Sequence, residues 1–283
     1  QCHMHINPRT IQIFVMMTGL LIGLVSQAVA QEQELELEPE SLKPGDVFSD
    51  CDNCPEMVVV PAGIFIMGFG GKTKREGPAH RVIVPKPFAI GRFEVTFDQW
   101  EACRIAGGCE HDPDDHEWGR GTRPVINVSY DKVENYVAWI SETTGQRYYI
   151  PSEAEWEYAH RGGTTTAFPW GDEAGINLAN CKDCKSKWSA HSTAPVGSFD
   201  PNPFGIYDTV ANAFEWVADC WNPSHEGAPK TAVARTDGDC KKRVMRGGSF
   251  YYYKKVARSS YRAKNPANVW SYWLGFRVAR VVQ

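Results

Sequence analysis

No basic excess marks this sequence. Thirty Lys and Arg stand against thirty-four Asp and Glu, a formal net charge of −4, and the basic residues are scattered, which excludes a nucleic-acid surface built on phosphate neutralisation. No internal repeat is present, so solenoid and propeller architectures are excluded too. What remains is 283 residues, 42% hydrophobic and 12% aromatic, enough for one large domain or two small ones with an ample core.

The N-terminus differs in kind from the rest. His3, His5 and Arg9 precede an apolar run from Ile11 to Val25, and Ala28-Val29-Ala30 supplies a small-x-small cleavage pattern. Residues 1–30 therefore read as a signal peptide, with Gln31 the first mature residue and the product periplasmic or secreted. The competing reading is an uncleaved membrane anchor, because the run approaches the ~20 residues that span a bilayer, but Gly19, Gly23, Ser26 and Gln27 interrupt it. Residues 31–50 open with Glu32, Glu34, Glu36, Glu38 and Glu40 at alternate positions. Acidic repulsion and the lack of aromatics predict a solvated tether there, with the folded domain over 51–283.

Export governs how the cysteines are read. Cys2 falls in the signal, leaving Cys51, Cys54, Cys103, Cys109, Cys181, Cys184, Cys220 and Cys240. An even count in an oxidising compartment predicts disulfides. Sequence does not choose the connectivity, and the economical guess pairs 51 with 54, 103 with 109, 181 with 184, and 220 with 240. A tetrathiolate zinc site from CDNC and CKDC is the alternative, disfavoured by their wide separation and by export. Neither unit precedes a helix in a βαβ pattern, as a thioredoxin-like redox role would need.

Three helices announce themselves by their caps. TFDQWEACRIAGG has Thr96 and Gln99 in capping-box spacing and Gly107 as a stop. SYDKVENYVAWISETTG opens on Ser129, places Val133, Tyr136, Val137 and Ile140 on one face, and stops at Gly145. PSEAEWEYAHRGG repeats the device with Ser152, Glu155 and Gly162. Short β-rich runs, MVVVPAGIFIMG, HRVIV, RVMRGGSF and LGFRVARVV, lie between stretches rich in Gly, Pro, Asn and Trp. The fold class is α+β with much irregular structure.

MVVVPAGIFIMG, EVTFDQW, RPVINVSY, YYIPSEAEWEYAHRGG, PWGDE, TAPVGSFDPNPFGIYDTVANAFEWV, RGGSF and LGFRVAR, in that order, resemble the formylglycine-generating enzyme family of sulfatase-modifying factors. The resemblance runs from Met57 to Arg280. It implies a single compact α+β fold, distantly like a C-type lectin, poor in regular secondary structure and calcium-bound. Relatives include exported bacterial proteins that mature pyoverdine siderophores. The ergothioneine branch is set aside, because its iron ligands lie in an extra helical domain for which this chain has no room.

In the oxidase members of the family, two cysteines after RGGS bind copper(I) and activate oxygen to oxidise a substrate cysteine. Carried over by position, the serine is Ser249 and the cysteine positions fall on Tyr252 and Ala257. Neither a phenol nor a methyl group replaces a thiolate for a soft d10 ion, so copper is not expected. Cys181, Cys184, Cys220 or Cys240 could reach the site from another loop. A tryptophan of the oxidase pocket appears as Phe214. Tyr252 plugs or lines the emptied pocket unless Lys254, Lys255 or Arg258 lowers its phenol into a useful range. Trp270, Tyr272 and Trp273 belong either to the same aromatic wall or to the core. Ser249 has no identified His and Asp partners, which a nucleophile needs.

The resemblance also implies calcium held by the side chains of Asp208 and Glu215 and the carbonyls of Ala211 and Ala213, a hard-oxygen set of the kind calcium takes. The other reading of Glu215 is a salt bridge. A second family site begins at Asn180 and the Cys181 carbonyl, but its acidic position falls near Trp188 or Ser189. Two function classes stand open. One is a calcium-stabilised module presenting the groove to a peptide, protein, glycan or small-molecule ligand. The other is an oxidoreductase modifying a peptide, sulfatase or siderophore precursor without paired cysteines.

Overall fold

The computed structural model describes residues 41–71 and 73–282. The expected signal peptide, residues 1–30, and the glutamate-rich part of the expected tether lie outside the described residues. MVVVPAGIFIM reads as one strand, but Pro61 has no N–H to give a ladder and divides it. β2 (Met57–Val60), after the short β1 (Val47–Phe48), lies buried in a five-stranded sheet, while β3 (Gly63–Met67) leaves it to pair antiparallel with β4 (His80–Val84). The large sheet runs β1, β2, β5 (Phe88–Gly91), β11 (Ala279–Val281) and β6 (Tyr148–Tyr149).

The domain begins earlier than Cys51. Val47 and Phe48 pair with Val58 and Met57, and the Gly45 N–H donates to the Val59 carbonyl at 2.8 Å. The glutamate alternation ends at Glu40, and residues 41–50 carry only Lys43, Asp46 and Asp50 as charges, so repulsion no longer keeps the backbone in water.

LGFRVARVV also serves two sheets. β10 (Leu274–Phe276) runs parallel to β7 (Phe214–Trp221) in a four-stranded sheet completed by β8 (Asp239–Arg246) and β9 (Ala263–Pro266). Arg277 stands where the chain crosses from this sheet to the larger one. β8 stops at Arg246 because Gly247 and Gly248 take φ of 94° and 83°, the left-handed region that only glycine enters freely.

Among the described residues the α-helices are α1 (Phe97–Ile105), α2 (Tyr130–Thr144) and α3 (Glu153–Arg161). Thr96 with Gln99 and Ser152 with Glu155 form reciprocal capping boxes, as the spacing predicts. Ser129 differs: its hydroxyl donates to the Asp131 carboxylate at 2.5 Å and caps no backbone N–H. Residues 162–213 contain neither helix nor strand. The main core gathers Trp100, Tyr136, Trp216 and Phe276, with Trp100 stacked on Tyr136 at 5.8 Å. Among the described residues four disulfides form, Cys51–Cys54, Cys103–Cys109, Cys181–Cys184 and Cys220–Cys240, the local pairing.

Candidate functional site

The turn after β8 delivers Ser249 inward, where it is buried with its hydroxyl unpartnered. No histidine hydrogen-bonds it. The residues after it do not form a strand, yet the tyrosines still alternate: Tyr251 and Tyr253 are exposed and Tyr252 turns in. The Tyr252 ring meets Phe214 at 5.6 Å and Trp273 at 5.5 Å, both edge-on, the favoured geometry for ring pairs. Burial raises its phenol above the ordinary range, with Tyr251 and Tyr261 adding to the effect. Of the cations that could have lowered it, Arg258 is engaged elsewhere. Arg258 forks onto Glu76 at 2.7 and 2.9 Å, and the backbone N–H of Lys254 donates to Asp183 at 2.7 Å.

Ala257 is buried in a different apolar cluster, with Phe168, Val210, Ala211, Cys181 and Cys184. The Cys181–Cys184 loop is stitched onto the tyrosine segment: the Lys182 N–H donates to the Tyr252 carbonyl at 2.8 Å. Two cysteines do reach this region from another loop, but they are bonded to each other.

The aromatic wall is larger than the sequence suggests. Tyr272 and Trp273 belong to it, with Tyr251 and Tyr272 at 5.6 Å. Trp118 also joins, edge-on to Phe250 at 5.2 Å, as does His116, 5.5 Å from Tyr272. Trp270 instead stands over His111 at 5.8 Å. Trp118 and His116 lie in a loop with no periodicity, and nothing local to them in the sequence indicates the wall.

Behind the wall lies a cluster of buried charge. Glu94, Asp208 and Glu215 face a single buried guanidinium, Arg277. Glu215 is salt-bridged: Arg277 donates from Nε at 2.6 Å to Oε2 and from an Nη at 2.8 Å to Oε1, and the Trp156 indole donates to Oε2 at 2.7 Å. Glu94 accepts from the Ala213 N–H at 2.9 Å and from the Asn212 amide at 2.7 Å. Asp208 accepts from the Gly197 N–H through Oδ2 at 2.7 Å, while Oδ1 is buried with no partner. Burial, with Glu215 contributing, raises Asp208 to about 6. Burial and the charges of Asp208 and Glu215 raise Glu94 well above the carboxylate range.

Three carboxylates against one guanidinium is an excess of negative charge, the environment a hard cation relieves. Asp208, Ala211 and Asn212 take φ of 56°, 67° and 58°, so the turn between the two acids is held in an unfavourable backbone conformation. The donor set fits calcium at the orphaned Asp208 oxygen, at the Ala211 and Ala213 carbonyls and at Glu215 Oε1, which takes one hydrogen bond where Oε2 takes two.

A second ion does not fit at Asn180. Its Oδ1 accepts from the Ser186 hydroxyl at 2.9 Å, and its Nδ2 donates to the Ser192 carbonyl and to Asn212 Oδ1 at 3.0 and 3.2 Å. Ser189, one of the positions where the acid is expected, stands 3.1 Å from Ser186. The Cys181 carbonyl accepts from the Cys184 N–H at 3.2 Å. Hydroxyls and amides close this site by neutral hydrogen bonds.

Residues 43–282 match the family described as the sulfatase-modifying factor enzyme 1-like domain. The bovine formylglycine-generating enzyme is 28% identical, the alignment covering 85% of this chain and 79% of the relative. The mouse protein named inactive C-alpha-formylglycine-generating enzyme 2 is 30% identical, covering 80% and 85%. Among solved structures, PvdO from Pseudomonas aeruginosa is 38% identical with a TM-score of 0.77, covering 85% of this chain and 99% of its own.

Proposed function

The chain belongs to the sulfatase-modifying factor enzyme 1-like family, and from that premise we propose that it is an exported member that keeps the scaffold without a copper-thiolate oxidase. Relatives named as generating enzyme and as inactive enzyme are about equally similar to it, so likeness does not choose between activity and its loss. Tyr252 and Ala257 support the loss. At the two positions where the family resemblance puts copper ligands, a phenol and a methyl group stand, and all eight cysteines among the described residues are engaged in disulfides. That arrangement does not fit copper(I), which needs free thiolate or thioether donors.

What the wall offers instead is recognition. Tyr251, Tyr252, Tyr272 and Trp273 are rigid, amphipathic surfaces on which a planar or apolar group of a peptide or small molecule stacks at low entropic cost. Calcium at Asp208 braces the turn that leads into β7 and so fixes Phe214 behind Tyr252. Thiol titration of the denatured, unreduced protein tests the reading. Every cysteine of the described domain should be silent, and two or more reactive thiols from it would restore the missing pair and overturn the proposal.

A further inference from the structure

The loop that joins β3 to β4 meets the edge strand β9 across a cleft of about 500 Å³, lined in part by Thr73, Lys74, Arg75, Trp221 and Lys264. Its charged lining is cationic throughout: Lys74 and Arg75 come from the loop and Lys264 from β9, and no acid lines it. All three side chains are exposed, and none pairs with a carboxylate among the described residues.

The acids next to the cleft are engaged elsewhere. Glu76, which follows Arg75, is buried and accepts the Arg258 fork at 2.7 and 2.9 Å and the Ser260 hydroxyl at 2.7 Å. Glu153 is buried under the Arg262 fork at 2.7 and 2.6 Å.

These same bonds fasten the two sides of the cleft together. Arg262, itself buried, also donates to the Arg75 carbonyl at 3.3 Å, while Glu76 grips the segment that leads into β9. The cationic ends are placed as well. The Lys264 ammonium stands 5.0 Å over the Trp221 ring and the Arg75 guanidinium 5.9 Å over Tyr261, contacts that hold a cation near a ring face. Thr73 precedes a single 3-10 turn, Lys74–Glu76, with its hydroxyl capping no backbone N–H.

Like charges around one cleft repel, and a buried network keeps their backbones from moving apart, so an anion that enters relieves the repulsion at little cost in ordering. A guanidinium forks two oxygens, an ammonium acts as a point charge, and a free hydroxyl adds a donor. A phosphomonoester matches that set, with three terminal oxygens and about two negative charges at neutral pH. A carboxylate, with two oxygens and one charge, leaves cations unmatched.

We propose that this cleft is a binding site for a phosphomonoester, with Lys74, Arg75 and Lys264 as its counter-charges, Thr73 as a hydroxyl donor, and Trp221 as the apolar surface for the group that carries the phosphate. The ester is either a free small molecule or a lipid headgroup.

The test titrates the full chain with glycerol phosphate at low ionic strength, read by calorimetry, and floats it with vesicles of phosphatidic acid in phosphatidylcholine. At least one of the two should bind, more weakly as salt is added. Arg75→Gln and Lys264→Gln should each weaken it about tenfold or more, with the melting temperature nearly unchanged because both side chains are exposed. Lys86→Gln, a cation outside the cleft, should bind as the wild type does. Binding of the soluble ester assigns the site to a free molecule, and binding of the vesicles alone assigns it to a headgroup. No binding of either would leave these cations as a solvated face. An equal loss in Lys86→Gln would mean that overall charge, not the cleft, attracts the anion. Either of these last two results overturns the proposal.

Discussion

Asp208 carries the case for calcium, and its titration gives the case a sign. A carboxyl raised to about 6 in the folded chain from an ordinary 3.8 stabilises the fold below the unfolded value, and loses that contribution as pH rises through the folded one. A cation at Oδ1 reverses the loss, since it favours the ionised form. Chelation should therefore lower the melting temperature more at about pH 7.5 than at about pH 4.5, by an amount worth ~3 kcal/mol when calcium had stood at a hundredfold excess over its Kd. Asp208→Asn should abolish both the chelator effect and its pH dependence. Equal melting with and without chelator at the higher pH would refute the site. Tyr252 has the opposite lesson. Its phenol is raised by burial, so a difference titration of wild type against Tyr252→Phe should show no phenolate from this residue below the ordinary tyrosine value of about 10. An early phenolate would make it a base after all.

At the scale of elements, α3 is the piece on which several others close. Glu157, at its centre, accepts from the Gly68 N–H at 2.9 Å, from Arg161 at 2.7 and 2.9 Å, and from Arg246 of β8 at 2.5 Å. Glu153, one turn earlier, holds Arg262. Glu157→Ala strands two buried guanidinium groups and should destabilise by about 3–5 kcal/mol in a denaturant melt, and a loss under 1 kcal/mol would mean that solvent reaches the network. The bridges differ by the loop each closes. Cys220–Cys240 spans 20 residues and Cys51–Cys54 only 3. On chain entropy alone the first contributes about 3 kcal/mol and the second about 2. The paired serine variants should rank in that order by thermal melting, and the reverse order would show that strain or local packing dominates.

Over the whole molecule, legibility in the sequence followed the range of the physics. Caps, glycine stops and local cysteine pairs depend on near neighbours, and Thr96, Ser152, Gly145 and Gly162 stand where their spacing predicts. Ser129 opens α2 as the spacing predicts, but bonds Asp131 in place of the backbone. Pro61 was visible but its consequence was not: that one stretch feeds two sheets depends on where β5 comes to lie. Glu94 and Arg277 were each a lone charge inside an apolar run, EVTF and LGFRV, and that pattern was the available sign of buried charge. Trp118 and His116 reach the wall only through long-range packing. The family resemblance placed Ser249, Tyr252 and Ala257 at the turn, and the fold adds that the nearby cysteines are bridged.

The proposed loss of oxidase chemistry rests on there being no free thiolate pair among the described residues. Mass spectrometry of a sulfatase-type cysteine peptide incubated with the protein, copper(I) and oxygen tests it most directly. The peptide should keep its thiol, with no aldehyde above the level of copper alone. Aldehyde formed in a catalytic amount, and lost when Cys181 or Cys184 is replaced by serine, would contradict it and show that the bridged pair beside Ala257 opens to hold the metal.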